Sequence, residues 1–333
     1  MSPPAVPALE LGGSHVVAAA AGPAGGGIVG GPVCADVDPG GSAAQVLDAV
    51  GGCADTLGAP AGRAWGAAVP GPFDHETGIA RFHAVGKFDA LDGVDVAAGI
   101  GARMSRPPAS ISFINDAAAF ALGEWWVGAA VGAGRVLGLT LGSGVGSGFL
   151  IDGRVVTTGA DLPPLGRMDL LELDGRPLEE TVSRRAIRRR VTAGPPGTPG
   201  RPAPDVREIA AAARAGDPVC RTALDEAFEG LGRALKPVLA SFRPDVVVVG
   251  GAIARSWDLL IDPLYRGLGA DAGRRRLVVP AALPDIAGLL GAAWHAGHDS
   301  RPVPCGTLTG SRAGAARRPP TPPHRAADPG RRA

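Results

Sequence analysis

The chain lacks several patterns that mark whole classes of protein. Its four cysteines, Cys34, Cys53, Cys220 and Cys305, are scattered and form no C-x-x-C pair, so no zinc knuckle or redox dithiol is signalled. No uninterrupted apolar stretch reaches the length of a membrane span, and residues 1–7 lack the basic start and apolar run of a signal peptide. We therefore expect a cytoplasmic protein with reduced thiols.

The chain also has very little lysine and no excess of charge of either sign. Its 33 Lys and Arg residues balance 32 Asp and Glu residues, and a net charge of +1 provides no global field for nucleic acid or an anionic membrane. Only Lys87 and Lys236 among the basic residues are lysines. The arginine-rich run 183–190 has no interleaved aromatic residue, and such a run is more often a solvated helix face than a nucleic-acid patch. We expect neither nucleic acid nor a membrane as a partner.

The composition is that of a globular protein. Hydrophobic residues make up 45% of the 333 residues, enough for two domains with sizeable cores. Each half opens with strand patterns and continues with helical ones, which predicts an α/β fold. Apolar spacing predicts strands at 8–11, 15–21, 64–69, 111–114, 135–141, 148–151 and 245–249, and helices within 39–58, 116–127, 205–242 and 286–296.

The predicted domain division places an N-terminal lobe at residues 1–115 and a C-terminal lobe at residues 116–285. The helix at 286–297 is expected to return to the first lobe. The stretch 192–204 is rich in proline and glycine and is predicted to be a flexible loop. Residues 298–333 have almost no apolar side chains and are expected to form a disordered tail.

A first segment that can carry chemistry lies at the turn of the predicted N-terminal hairpin. Glu10 stands at a strand end and is followed by Gly12, Gly13 and Ser14. Glycines let backbone N–H groups approach phosphate oxygens, a serine hydroxyl adds a donor, and a nearby carboxylate can reach Mg²⁺ through water. The alternative is an ordinary tight hairpin turn, in which a glycine pair is also common.

A second glycine-rich segment joins two apolar runs and contains Gly142, Ser143, Gly144 and Gly146. A dinucleotide-binding fingerprint would require a helix directly after this loop and an acidic residue about twenty positions later. The sequence predicts a strand and a hairpin there instead. A second phosphate-binding loop is therefore the favoured interpretation.

Two further segments lie where predicted strands end. Asn115 and Asp116 stand between a strand and a helix, where Asp116 could take a proton from an attacking hydroxyl, worth ~10²–10⁴-fold in rate. In isolation, an acidic residue there is more typical of a helix N-cap. Gly250 and Gly251 follow a run of valines, and bare backbone there suits the flat face of a ligand. By itself this pair favours an ordinary strand-to-helix turn.

Together and in this order, the segments resemble the ROK family (repressors, open reading frames and sugar kinases). The resemblance extends from about Leu9 to His295 and includes the strand end Pro70-Gly71-Pro72 and residues 288–293. It implies a two-lobed actin-like (ribonuclease H-like) ATPase fold with ATP and substrate in the interlobe cleft. It also implies transfer of the γ-phosphate to a hydroxyl of a small polyol, with Mg²⁺. Family members are often dimers, so a homodimer is the assembly that the resemblance suggests.

The resemblance also assigns roles to individual residues. The phosphates would be faced by Gly12, Gly13 and Ser14 from one lobe and by Gly142, Ser143, Gly144 and Gly146 from the other, and Gly250 and Gly251 would flank the adenosine. Asp116 would be the general base and Asn115 would hold the substrate. Glu10 stands where the family usually has Asp, which keeps the charge but moves it by about one methylene.

The acceptor side departs from the family. Where the family commonly shows Glu-x-Gly-His, this chain has Pro164-Leu165-Gly166-Arg167, and no cysteine lies between Cys53 and Cys220 to form the family's structural zinc site. We therefore expect no zinc. Glu179 matches a sugar-binding Glu of the family, with Glu180 as the substitute if the register shifts by one. Arg167 either donates hydrogen bonds in place of the His or is a solvated surface residue.

These replacements predict a changed acceptor, because a site discriminates strongly through its buried polar partners. Zinc-less members of this kind resemble kinases of antibiotic pathways, which act on C7-cyclitols (valienone- or valiolone-like rings) or on amino sugars such as kanosamine. The first prediction is phosphorylation of the C7 hydroxyl of a C7-cyclitol, and the alternative is the 6-hydroxyl of kanosamine or glucose. The phosphoryl donor is expected to be ATP, with polyphosphate as the alternative.

Two hypotheses come from other functional classes. Repressors of the family carry an N-terminal helix-turn-helix domain, and the eight residues before Leu9 are too few for one. A non-catalytic sugar-binding regulator is the other hypothesis. The Asn115-Asp116 pair and both glycine loops argue against it.

Overall fold

The computed structural model describes residues 4–22, 27–192, 204–269 and 277–298, together with the backbone of residues 303–304. The strands in chain order are β1 (Val6–Leu11), β2 (His15–Ala21), β3 (Ile28–Asp36), β4 (Ala64–Val69), β5 (Phe73–Asp74), β6 (Ile79–Ala80), β7 (Ser110–Asn115), β8 (Arg135–Leu141), β9 (Val145–Ile151), β10 (Arg154–Val155), β11 (Glu172–Leu173), β12 (Arg176–Pro177), β13 (Val246–Gly250), β14 (Val278–Pro280) and β15 (Val303–Pro304). The helices are α1 (Ala43–Leu57), α2 (Val96–Gly101), α3 (Asp116–Val127), α4 (Glu179–Val182), α5 (Arg184–Thr192), α6 (Val206–Arg214), α7 (Pro218–Phe242), α8 (Trp257–Leu268) and α9 (Ala287–His298). The α/β class is as predicted.

The first sheet has the strand order β15-β7-β4-β1-β2-β3. The predicted N-terminal hairpin is confirmed, since Leu11 pairs with Val16 and Val6 with Ala21 across the turn. β3 continues the antiparallel meander, whereas β4 is parallel to β1 and β7 is parallel to β4. The short strand β15 pairs with β7 and lies inside the stretch predicted to be a disordered tail, so that prediction is wrong for residues 303–304. The edge of β7 leaves backbone groups that a passing segment can pair with.

The second sheet, β10-β9-β8-β13-β14, repeats this plan. An antiparallel meander of β8, β9 and β10 is followed by β13 and β14, both parallel to their neighbours. β13 lies between β8 and β14, and its residues Val247, Val248 and Val249 are buried. This is the environment that a continuous valine run predicts.

Two helices pack together between the sheets. A Cβ placed at Gly291 of α9 would lie 1.8 Å from the carbonyl oxygen of Ala119 in α3, so the two backbones touch at that point. α9 lies against the first sheet, where a Cβ at Gly66 of β4 would meet the Ala292 oxygen at 2.0 Å. α3 lies against the second sheet, and a Cβ at Gly138 of β8 would be 2.5 Å from the Ala121 Cβ. The predicted last helix therefore returns to the first sheet.

Three hydrophobic clusters follow from this layering. One lies between the first sheet and the helices α1 and α2, a second surrounds α3 and α9 between the two sheets, and a third lies between the second sheet and α4 to α8. Among the described residues, no helix is both long and apolar enough to cross a membrane. Most of the predicted loop 192–204 lies outside the described residues.

Strand β9 begins three residues earlier than predicted, at Val145 rather than at residue 148. Gly146, one of the glycines assigned to the loop, is therefore a strand residue, like Gly148. Gly148 has no space for a side chain, because a Cβ there would lie 2.7 Å from both the Ala117 oxygen and the Ala118 Cα. The remaining loop consists of Gly142, Ser143 and Gly144.

Candidate active site

Strands β1, β4 and β7 of the first sheet and β8 and β13 of the second sheet end near the N-terminal half of α3. In the first sheet, Glu10 and Asn115 stand at the ends of β1 and β7, on either side of the end of β4. In the second sheet, Thr140 and Gly250 mark the same end of β8 and β13. Gly146, which follows the β8–β9 turn, lies beside α3, where its Cβ would be 2.8 Å from that of Ala117. Ligands of open α/β sheets bind at such strand ends.

Asn115, rather than Asp116, caps helix α3. Its side-chain oxygen accepts the N–H groups of Ala117 at 3.1 Å and Ala118 at 3.2 Å. Asp116 is therefore not needed as the cap. Its Oδ1 accepts the Asn115 amide at 3.0 Å and the Ala117 N–H at 2.9 Å, while its Oδ2 forms no hydrogen bond with a described residue.

Burial raises the pKa of the Asp116 carboxyl, and the Ala117 N–H and the charge of Lys87 oppose that rise. A carboxylate with a raised pKa and one uncommitted oxygen is a stronger proton acceptor than an exposed aspartate. The geometry thus provides what a general base requires, and that role of Asp116 stays a prediction.

Glu10 lies next to Asp116 and against the first turn of α9. A Cβ at Gly288 would lie 2.5 Å from Glu10 Oε2. Burial, together with repulsion by Asp116, raises the pKa of Glu10 to about 7, although the Leu289 N–H lowers it. Glu10 is therefore partly engaged by the protein, and its predicted role toward Mg²⁺ is untested.

The turn after Glu10 is closed on one side and open on the other. The Gly12 N–H donates to the His15 oxygen at 2.8 Å, and the His15 ring covers Gly12, where a Cβ would be 2.8 Å from Cε1. No described atom lies within 4 Å of a Cβ placed at Gly13. The N–H groups of Gly13 and Ser14 bond to no described residue. The turn is a tight hairpin and also presents free donors.

The β8–β9 turn is likewise closed on one side and open on the other. The Gly142 N–H donates to the Gly144 oxygen at 3.0 Å, and the Gly142 oxygen accepts the Arg184 N–H of α5 at 2.8 Å, which fixes the turn. A Cβ at Gly142 would again meet no described atom within 4 Å. The N–H groups of Ser143 and Gly144 form no hydrogen bond with a described residue. A strand and not a helix follows, which excludes the dinucleotide fingerprint.

Glu179, Arg167 and Asp169 lie on one side of this turn. Glu179 opens α4, and its Oε2 is 3.0 Å from a Cβ placed at Gly144. Arg167 donates to Asp169 through Nε at 3.1 Å and through Nη2 at 2.5 Å, and the charge of Glu179 acts on the same guanidinium. Two of the donors of Arg167 are thus used by Asp169.

The segment 164–168 is fixed in place by Ser147 of β9. The Ser147 hydroxyl donates to the Gly166 oxygen at 2.8 Å and accepts the Met168 N–H at 3.0 Å. Leu165, at the tip of this segment, has φ of 56° and a side chain that is 64% exposed. A non-glycine residue in the left-handed region is strained, and such residues cluster at binding sites.

Gly250 and Gly251 are explained by packing. A Cβ at Gly250 would lie 2.5 Å from the ring of Phe120, and at Gly251, where φ is 85°, it would lie 2.4 Å from the Leu141 oxygen. Both glycines let β13 approach α3 and β8 closely. Contact with adenosine stays a prediction for this pair.

Sequence reasoning missed three residues of this region: Lys87, Asp169 and Gly288. The rarity of lysine in an arginine-rich chain was the one signal for Lys87. Asp169 required the local geometry, and Gly288 required the contact between β1 and α9.

The residues present are compatible with Mg-ATP. Four backbone N–H groups, of Gly13, Ser14, Ser143 and Gly144, are free to bind phosphate oxygens. Glu10 would supply the carboxylate that reaches Mg²⁺ through water, in combination with the phosphates. Within the described part of the chain no group of three or more His, Cys, Asp or Glu could hold a metal ion alone. Any Mg²⁺ at this site would depend on the phosphates as ligands.

The family model of the ROK family matches residues 44–298 of the chain. The glucokinase of Thermotoga maritima is 32% identical over 249 residues, which cover 67% of this chain and 76% of that protein. The chain belongs to the ROK family. It is a carbohydrate kinase with the two-lobed actin-like ATPase fold of that family.

Solved structures support this assignment. The ROK hexokinase of Thermus thermophilus is similar with a TM-score of 0.68 at 27% identity, over 87% of this chain and 96% of that one. The inorganic polyphosphate/ATP-glucomannokinase of Arthrobacter sp. strain KM is similar with a TM-score of 0.64 at 27% identity, over 89% and 99% of the two chains.

Proposed function

We propose that this ROK kinase transfers the γ-phosphate of ATP, with Mg²⁺, to the C7 hydroxyl of a C7-cyclitol of the valienone or valiolone type, in aminocyclitol antibiotic biosynthesis in the cytoplasm. The observation that supports the acceptor class is the composition of the segment 164–167. Pro164 offers no side-chain hydrogen bond, and two donors of Arg167 are bound by Asp169. Fewer polar groups are left to bind ring hydroxyls, which suits a carbocycle without a ring oxygen or an anomeric hydroxyl.

The chain's own residues carry the transfer. Asp116 takes the proton of the attacking hydroxyl through its free oxygen, and Asn115 fixes the Asp116 carboxylate by the 3.0 Å hydrogen bond to Oδ1. Glu179 accepts a hydroxyl of the acceptor ring beside the β8–β9 turn. The free N–H groups of both glycine turns bind the phosphates and hold the γ-phosphate in line.

The second candidate acceptor is kanosamine or glucose, phosphorylated on the 6-hydroxyl. It is favoured by the names of the relatives, a glucokinase, a hexokinase and a glucomannokinase. Polyphosphate as the donor has similar support, since the Arthrobacter enzyme is named for both donors.

A substrate panel tests the proposal. The purified chain is incubated with Mg-ATP and, separately, valienone, valiolone, kanosamine and glucose, and the phosphorylated position is located by phosphorus NMR. We expect the largest kcat/KM for a cyclitol, with phosphate on C7. Rapid turnover of glucose and none of the cyclitols would overturn the acceptor assignment.

The variant Asp116→Asn serves as the matched control in the same panel. It keeps the side-chain oxygen that accepts the Ala117 N–H but loses the base, so kcat should fall by ~10²–10⁴-fold while ATP binding is retained. Undiminished turnover by this variant would exclude Asp116 as the base. Sugar binding without any turnover by the wild-type chain would instead identify the non-catalytic regulator.

A further inference from the structure

Lys87 is a half-buried cation on a rigid loop. The Asp89 Oδ1 accepts the N–H groups of Val85 at 3.0 Å and of Gly86 at 2.9 Å, which fixes the chain before Lys87. After it, the buried Phe88 donates its N–H to the Pro39 oxygen at 2.6 Å. Lys87 itself forms no hydrogen bond and no ion pair with any described residue. The loop is well held, and the ammonium it presents is uncommitted.

The loop is joined to the end of β7 by a row of aromatic rings. Phe88 is 5.6 Å from Phe82, Phe82 is 6.5 Å from Phe73, and Phe73 is 5.0 Å from Phe113, all between ring centroids. Phe113 stands two residues before Asn115 on β7. The loop is also close enough to Asp116 for the charge of Lys87 to lower the pKa of that carboxyl.

We propose that Lys87 is a further catalytic residue, which binds the phosphoryl group as it passes from donor to acceptor. The inference rests on the proposed role of Asp116. In the step, Asp116 takes the proton of the acceptor hydroxyl, the oxygen–phosphorus bond to the acceptor forms, and the bond between the γ-phosphorus and the bridging oxygen breaks. ADP leaves with that electron pair, and negative charge is spread over the equatorial oxygens of the transferring group.

The position of Lys87 suits this task. The attacking oxygen must touch Asp116, and the phosphorus lies next to that oxygen, so a cation that acts on Asp116 is also within electrostatic reach of the phosphoryl group. The free N–H groups of the two glycine turns carry no full charge. A lysine ammonium offers three donors on a flexible stem and can follow a group that moves.

An acidic acceptor is the competing partner for Lys87. Such an acceptor would also meet the carboxylates of Glu10 and Asp116 near the start of α3 and of Glu179 beside the β8–β9 turn, and like charges disfavour it. For this reason the phosphoryl group is the partner that the charges favour.

The test compares Lys87→Met and Lys87→Arg with Lys236→Met, which removes the other lysine from the exposed side of α7. Two measurements are made: steady-state kinetics with the best acceptor, and binding of ADP with orthovanadate, a mimic of the transferring phosphoryl group that needs no acceptor. We expect Lys87→Met to lower kcat by ~10²–10³-fold with little change in either KM, as loss of one donor to a developing charge does. ADP–vanadate binding should weaken at least about tenfold.

Lys87→Arg keeps the charge and should recover part of kcat, whereas Lys236→Met should leave both measurements unchanged. Equal ADP–vanadate binding by the wild type and Lys87→Met would overturn the role of Lys87 while leaving the proposed function intact. A wild type that turns over none of the acceptors would contradict both. A raised acceptor KM with unchanged kcat would show that Lys87 binds an anionic acceptor instead.

Discussion

Two neighbouring side chains at the end of β7 divide the capping of helix α3 unequally. Asn115 accepts two N–H groups of the first turn, whereas Asp116, one position later, accepts only the Ala117 N–H, through Oδ1. A single acidic residue at the cap would have had its oxygens engaged by the helix. The pair therefore leaves one carboxylate oxygen of Asp116 available for the proposed proton transfer.

Glu10 provides a pH-dependent prediction at the same scale. Its pKa rises from 4.5 as the reference value to about 7 in the folded protein, so the folded state holds the proton more tightly than the unfolded state. The stabilisation is fully present below pH 4.5 and is lost as the pH rises through 7. Between pH 5 and 8 we expect the free energy of unfolding to fall by about 1–3 kcal/mol from this group.

Chemical denaturation of the wild type and of Glu10→Gln over this pH range checks the prediction. The amide of Glu10→Gln does not titrate, so the free energy of unfolding of this variant should depend less on pH. Burial lowers the pKa of the half-buried His75, and its contribution changes with pH in both proteins. The difference between the two curves therefore isolates Glu10, and parallel curves would contradict the prediction.

At the scale of elements, the β8–β9 hairpin contains glycines of two kinds. Gly142 faces open space beside free N–H groups, while Gly148 touches the backbone of α3. We expect Gly142→Ala to raise the KM for ATP by about tenfold, because its Cβ would occupy the volume of the phosphates, and to leave stability unchanged. Gly148→Ala should lower the free energy of unfolding by about 1–3 kcal/mol through overpacking.

Denaturation curves and ATP kinetics of both variants separate the two effects, and Gly13→Ala in the first turn should behave like Gly142→Ala. If Gly142→Ala destabilises the protein and leaves the KM for ATP unchanged, the phosphate-binding interpretation of this turn is wrong.

For the whole molecule, the contact of α3 with α9 joins the two sheets. Gly291→Ala places a Cβ against a backbone oxygen at 1.8 Å, and this clash can be relieved only by moving one helix and its sheet. We expect a loss of about 3 kcal/mol or more. In this variant the two predicted lobes, which are divided at residues 115 and 285, would shift relative to each other.

Gly297→Ala is the matched control on the same helix, since no described atom lies within 4 Å of its added Cβ. It should leave stability within about 1 kcal/mol of the wild type, with a gain if helix propensity dominates. Thermal unfolding of the two variants side by side tests whether their stabilities differ as predicted. Equal stability of both would show that the sheets are not held at this crossing.

The amino-acid sequence alone determined the hairpins, the helix α3, the buried valine strand and the order of the glycine segments. These depend on local rules: the spacing of apolar residues, turn-forming glycines and capping side chains. The family resemblance, which rested on that order, is confirmed, as are the fold class and the kinase activity.

Only the tertiary structure decided what each residue of those segments is near. It divided the glycines into those that face open space, Gly13 and Gly142, and those that touch another backbone, Gly148 and Gly251. It also brought Lys87 to the neighbourhood of Asp116, although the two residues are 29 positions apart in the sequence. Contacts between distant elements depend on how the two sheets pack around α3 and α9, and no local pattern of residues encodes that arrangement.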